Sequence, residues 1–273
     1  MVTEKEYSME EIQASLLEMM KVFHRVCEEN NIVYYMNSGT VLGAIRHGGF
    51  IPWDDDVDLG LYREEYEKLL ALPEQVWGEN YRLATFRSME SYPFCYAKLY
   101  DIRTTKVEDA YGFKKWTAGI YLDIFPHDGA GNSRFSAVVR YGWNFIKLWF
   151  LLYSLLEKKQ RNPIKRILQW IACRKSVFTR QCNLEKAMKA KSAAKSRYVS
   201  NFIGKHRTRE VFDKRLFGKP TLYPFADTKF YGPEKAEEYL TQLYGNYMEL
   251  PPENERETVH PGEVDLEHSY LEK

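Results

Sequence analysis

Ile51-Pro52-Trp53-Asp54-Asp55-Asp56-Val57-Asp58-Leu59-Gly60-Leu61 is the stretch that decides how this chain folds. Val57, Leu59 and Leu61 alternate with Asp56, Asp58 and Gly60. Period two predicts a strand with one apolar and one acidic face. The alternation puts Asp54, Asp56 and Asp58 on one side, about 6.5–7 Å apart at successive same-face positions, and turns Asp55 away. Carboxylates crowded in this way repel one another, and some protonate unless a cation is present. A hard divalent ion, Mg²⁺ or Mn²⁺, removes the conflict and bridges substrate phosphates. Asp56 and Asp58 are therefore the expected metal ligands, with Asp54 on the metal or behind it. A solvated acidic turn and a nucleotide-sugar-binding Asp-x-Asp remain open alternatives. The start of a calcium loop does not fit, because its sixth position holds Leu59 where glycine is needed.

Working outward towards the N-terminus, Ser8 and Glu11 form a capping box for a helix over Met9–Asn30. Ile32–Met36 is β-branched and aromatic and predicts a strand. Asn37–Thr40 predicts a turn, followed by a short helix over Val41–His47 that stops at Gly48-Gly49. Such a turn presents backbone N–H groups and hydroxyls to a phosphate, which makes Ser38, Gly39 and Thr40 candidate substrate contacts. Arg46 either adds a charge-assisted contact to the phosphate or pairs with an Asp of the cluster.

Towards the C-terminus, Arg63–Leu72 predicts a helix ended by Pro73. Tyr81–Phe86, Phe94–Asp101 and Gly119–Phe125 predict strands. Asp123, near the end of the last strand, is the candidate third carboxylate. It either ligates the metal or serves as catalytic base; the bland alternative has it capping a turn at Pro126–Gly129. Lys98, on the middle strand, is a candidate phosphate contact or a solvated lysine.

The composition is that of a soluble globular chain: 44% apolar and 28% charged over 273 residues, which excludes extensive disorder. Cys27, Cys95, Cys173 and Cys182 contain no Cys-x-x-Cys pair, so a zinc site is unsupported. The polar start Thr3-Glu4-Lys5-Glu6 shows no signal peptide, and a reducing cytoplasmic setting is the expectation. The net charge of +1 hides an asymmetry: residues 134–215 carry +17 and the remainder −16. Three regions follow: a catalytic core over 1–133, a basic helical insertion over 134–215, and a C-terminal part over 216–273 that packs back on the core. Phe135–Leu156 is a strongly apolar helix, interrupted by Arg140, Asn144 and Lys147 and followed by Lys/Arg-rich helices. It reads equally as a buried core helix and as a helix lying peripherally on the inner face of an anionic membrane. No aromatic-interleaved motif supports nucleic-acid binding.

The run Tyr35–Asp58, with Gly39-Thr40, Gly43-Ala44-Ile45-Arg46-His47 and Ile51-Pro52-Trp53-Asp54-Asp55-Asp56-Val57-Asp58, resembles the LicD family of phosphocholine transferases, whose relatives include the fukutin-related proteins. Leu122–Pro126 resembles the family's second block and Tyr239–Pro252 its C-terminal block. The basic middle and Gly262–Lys273 match no motif of the family. The resemblance implies an α/β (α+β) nucleotidyltransferase-like fold, a mixed sheet flanked by helices. It also implies transfer of a phospho-alcohol, typically phosphocholine from CDP-choline, to a sugar hydroxyl of a cell-surface glycan or its lipid-linked precursor. CDP-ribitol and CDP-glycerol are alternative donors. A non-catalytic nucleotide-binding protein is the reading that Asp56, Asp58 and Asp123 argue against. A choline head group calls for an aromatic cage, and Trp53, Trp116 and Tyr121 lie near the motifs. Each is also suited to a core.

Overall fold

Ile12, Leu16, Met19, Phe23 and Val26 recur at helical spacing, and the helix they predict forms with that face buried. The computed structural model describes residues 7–110, 114–156, 158, 160–256 and 263–272. The polar N-terminal start read above for a signal peptide lies outside them. In chain order the first half contains α1 (Met9–Glu29), β1 (Tyr35–Met36), α2 (Ser38–His47), β2 (Asp58–Tyr62), α3 (Arg63–Leu70), β3 (Tyr81–Ala84), β4 (Ala97–Asp101), β5 (Thr105–Ala110), β6 (Lys114–Ala118) and β7 (Tyr121–Gly131). The second half contains α4 (Arg134–Leu155), α5 (Pro163–Cys173), α6 (Val177–Met188), β8 (Tyr198–Ser200), β9 (Phe212–Asp213), β10 (Thr221–Phe225), β11 (Thr228–Gly232), α7 (Ala236–Tyr244) and β12 (Val264–Asp265). This is the expected α+β architecture.

The main sheet runs β1-β2-β7-β4-β3, and β8 and β9 extend it from β7. β2 and β7 are parallel; the other pairs are antiparallel. β7 is the spine, with β2 on one side and first β4, then β8, on the other. One core packs α1 and α7 with β1, β2 and the β10–β11 hairpin. A second lies around β4, α4 and α6. Phe23, fully buried between Tyr34 and Trp77, is typical of the first. Truncating such a ring costs about 3–5 kcal/mol.

Several expectations change. The strand of Ile32–Met36 shrinks to Tyr35–Met36. Helix α2 begins at Ser38, so Gly39 and Thr40 form its first turn rather than a turn before it. The acidic segment becomes strand only at Asp58, although burial still alternates from Asp54 to Leu59, with Asp54, Asp56 and Asp58 half-buried.

The turn considered at Pro126–Gly129 is instead strand. Asp123 donates its amide to the Val57 carbonyl at 2.8 Å, so odd-numbered amides of β7 face β2. The Pro126 nitrogen therefore faces the opposite edge. There the β4 register ends at Ala97↔Ile124 and the β8 register begins at Asp128↔Ser200. Proline is tolerated in that gap because no ladder donor is needed.

Residues 134–215 are not helical throughout: β8 and β9 join the main sheet. No helix among the described residues is long and apolar enough to cross a membrane. Near the C-terminus, β12 pairs with β5.

Candidate active site

The first turn of α2 and the start of β2 are tied together. Asn37 donates its amide to the Asp58 carbonyl at 2.9 Å. Asp58 donates its own amide to the Thr40 hydroxyl oxygen at 2.8 Å. Thr40 thus fixes the strand carrying the carboxylate, and its hydroxyl proton is left to donate elsewhere. Asn37 caps no amide of α2 with its side chain. That side chain meets His127 Nε2 at 2.9 Å and accepts from the Tyr239 hydroxyl at 3.4 Å. Burial pushes His127 down to about 3, so the ring is neutral and Nε2 can accept the Asn37 amide. Gly60 is glycine for a steric reason: a Cβ there would lie 2.3 Å from His127 Nε2 and 2.5 Å from Asn37 Nδ2. Ser38 donates its amide to the Tyr239 hydroxyl at 3.1 Å and is held at φ 42°, a left-handed conformation that a side chain disfavours. Strain of this kind collects at functional sites.

The carboxylates converge on this turn. A Cβ on Gly39 would lie 2.9 Å from Asp54 Oδ2, so Gly39 is the space that Asp54 occupies. Asp58 and Asp123 are register partners on the parallel strands β2 and β7. Burial raises Asp54 above the ordinary carboxylate range, and Asp56 adds to the rise through its charge and a shared hydrogen bond. Burial likewise raises Asp58, followed by the charges of Asp56 and Asp123. Asp123 is pushed up to about 6, by burial first, with Lys98 opposing the rise. Asp55 turns away, as the alternation predicts, and pairs with buried Lys106 at 3.0 Å.

Lys98 is not solvated. It is 1% exposed and bonds Asp123 at 3.0 Å and Glu108 at 3.2 Å. Its ammonium also sits 3.1 Å from the Tyr121 ring centroid. It reaches the site through Asp123, and it already covers the Tyr121 face considered for a choline cage. Trp116 packs edge-on against Tyr92 and donates to the Tyr100 hydroxyl. Trp53 lies beside His47 and Arg256. Arg46 donates to the carbonyls of Tyr247 and Glu249, which ties α2 to the C-terminal block.

Two contributors escaped sequence reasoning. Tyr96, with its hydroxyl 3.5 Å from Asp123 Oδ2, lies 27 positions away in the chain, and only the β4–β7 register brings it close. Lys205 is exposed on the loop after β8, and its charge opposes the rise at both Asp54 and Asp58. Nothing distinguished it from the other basic residues of the middle region.

The donor set suits a hard divalent ion: carboxylate oxygens whose mutual repulsion a cation would relieve. Among the described residues no group of three or more His, Cys, Asp or Glu stands ready to hold a metal.

Two facing acids on a parallel strand pair are thus set against a helix N-terminus. The family profile described as LicD/FKTN/FKRP, nucleotidyltransferase domain, matches residues 31–150. The lipopolysaccharide cholinephosphotransferase LicD of Haemophilus influenzae is 30% identical over 263 residues, covering 94% of this chain and 97% of that protein. An uncharacterised protein of Rickettsia typhi is 34% identical over 125 residues, 45% of this chain and 38% of its own length. The human ribitol 5-phosphate transferase FKRP is 52% identical over 40 residues, 15% of this chain and 8% of its own. The chain belongs to the LicD family of phosphotransferases.

Proposed function

We propose that the chain transfers phosphocholine from CDP-choline to a sugar hydroxyl of a cell-surface glycan or its lipid-linked precursor, using a divalent metal. The facing of Asp58 and Asp123 across β2 and β7, beside the first turn of α2, carries the transfer reading. Likeness to a cholinephosphotransferase along nearly the whole chain supports choline. The 40-residue likeness to a ribitol 5-phosphate transferase falls far short of that coverage, so ribitol or glycerol phosphate is the second reading.

Asp56 and Asp58 would hold Mg²⁺ or Mn²⁺, with Asp123 beside them. When bound, the ion supplies charge neutralisation on the donor's pyrophosphate and the departing nucleotide. The amide of Gly39, the hydroxyls of Ser38 and Thr40, and Lys205 grip the phosphates. Asp54, lodged against Gly39, keeps the turn and the acidic segment together. Asp123, with its affinity near neutrality, takes the proton of the attacking hydroxyl. The sugar oxygen forms a bond to the phosphorus bearing choline, the bond to CMP breaks, and CMP leaves with the electron pair. Tyr96 and Lys98 orient Asp123, and Arg46 holds the C-terminal block against α2.

A thermal-shift series of CDP, CDP-choline, CDP-ribitol and CDP-glycerol with Mg²⁺ tests the donor. A larger shift with CDP-choline than with CDP supports the assignment. Equal shifts with all four remove it.

A further inference from the structure

In most amphipathic helices the apolar stripe faces the core. In α5 it faces outward. Ile164, Ile167 and Ile171 share one helical face and are 69%, 58% and 39% exposed, while the helix buries only Gln169 and Ala172. α4 buries Tyr141, Leu148 and Leu151 against the second core, yet Phe135, Val139, Trp143 and Ile146 form a second outward stripe. Ten of the fifteen exposed large apolar side chains among the described residues fall between Phe135 and Phe178. They therefore belong to one helical region rather than being scattered singly.

Charge identifies what covers this region. Between Arg134 and Leu184 the sequence carries eleven Lys/Arg and a single acid, Glu157. Arg161, Lys165, Arg166, Arg174 and Lys175 are all exposed. Arg174 and Lys147 lie against the rings of Trp170 and Trp143, so cations and large aromatics alternate on these helices. A second copy of this face would set like charges against like. An anionic bilayer surface offers acyl chains for the isoleucines, an interface for the tryptophans and negative head groups for the lysines and arginines. The exposed stripes run along the helices beside exposed cations, which suits a contact in the surface plane.

We propose that α4 and α5 form an interfacial dock that seats the protein on an anionic membrane. The inner face of α4 is linked to the loop after β8, because the Tyr141 hydroxyl donates to the Gly204 carbonyl at 3.1 Å, next to Lys205. Docking holds that loop roughly one helix diameter, about 10 Å, from the bilayer surface. The dock shares no residue with the aspartate site, so its failure leaves the transferase reading untouched.

Flotation of the purified full chain with phosphatidylcholine vesicles, with and without phosphatidylglycerol, tests the dock. The expected result is at least about tenfold more bound protein on anionic vesicles, with binding weakened by salt. The double substitution Ile164→Glu/Ile167→Glu, at exposed positions, abolishes flotation and leaves thermal melting unchanged. Lys165→Glu/Arg166→Glu removes the preference for anionic lipid. No flotation with either vesicle overturns the proposal. So does flotation that both variants retain, or a concentration-dependent dimer that Ile164→Glu/Ile167→Glu dissolves without vesicles ever binding.

Discussion

Asp58 and Asp123 stand opposite each other in register on neighbouring parallel strands, the one pairing in the main sheet among the described residues that is not antiparallel. Parallel register matters here because it brings two carboxylates side by side from segments 65 residues apart in the chain. Burial raises both; the charges of Asp56 and Asp123 add to the rise at Asp58, and those of Glu108 and Asp56 add to it at Asp123, so the crowded acids in the absence of a cation store unfavourable electrostatic energy.

Removing one of these charges should therefore stabilise the metal-free protein. Asp58→Asn is expected to raise stability by about 1–2 kcal/mol at pH 8, read by denaturant unfolding in EDTA. Mg²⁺ should raise the melting temperature of the wild type and leave that of Asp56→Asn/Asp58→Asn unmoved. A variant less stable than the wild type in EDTA would show that the aspartates do not repel.

Lys98 is the internal counter-ion of Asp123 and Glu108. Lys98→Met leaves two buried carboxylates without their cation and is expected to cost about 3–5 kcal/mol. Adding Glu108→Gln should return part of that loss, a coupling that a double-mutant cycle measures. Purely additive losses would remove the counter-ion role.

Gly60→Ala drives a methyl group into the Asn37–His127 pair. The expected cost is about 1–3 kcal/mol. Because Asn37 begins α2, kcat should fall by more than the unfolded fraction explains. Full kcat in the folded variant would separate the pair from the phosphate-gripping turn.

Glu210 is buried, and burial pushes it from 4.5 up to about 7, against the backbone N–H of His206 and the Asn201 amide. Between those values the folded chain holds more protons than the unfolded one. Stability from this group is complete below pH 4.5 and is lost as pH rises through about 7, by an amount on the order of 3 kcal/mol. Glu210→Gln should flatten the decline in melting temperature from pH 5 to 8. An unchanged slope would remove Glu210 as its source.

What could be read from the sequence was what neighbours in the chain decide. Ser8 and Glu11 start α1, Gly48 at φ 67° ends α2, and the acids of the 54–58 segment alternate as expected. Asp56, Asp58 and Asp123 stood out for the same local reason. What long-range pairing decides was hidden. Pro126 looked like the end of a strand because its tolerance depends on a gap between β4 and β8. The segment holding β12 matched no motif, because its partner β5 lies far upstream. Lys98 looked solvated because alternation cannot tell which face of a central strand will be covered by Tyr121 and Glu108.

The central claim, phospho-alcohol transfer at the facing aspartates, is most directly tested by CMP release. Wild-type protein, CDP-choline, Mg²⁺ and a glycan acceptor should release CMP and label the acceptor with phosphocholine in equal amounts. Asp58→Asn should lower kcat by roughly a thousandfold, equivalent to about 4 kcal/mol of transition-state stabilisation, while remaining folded. Full transfer by folded Asp58→Asn would contradict the account.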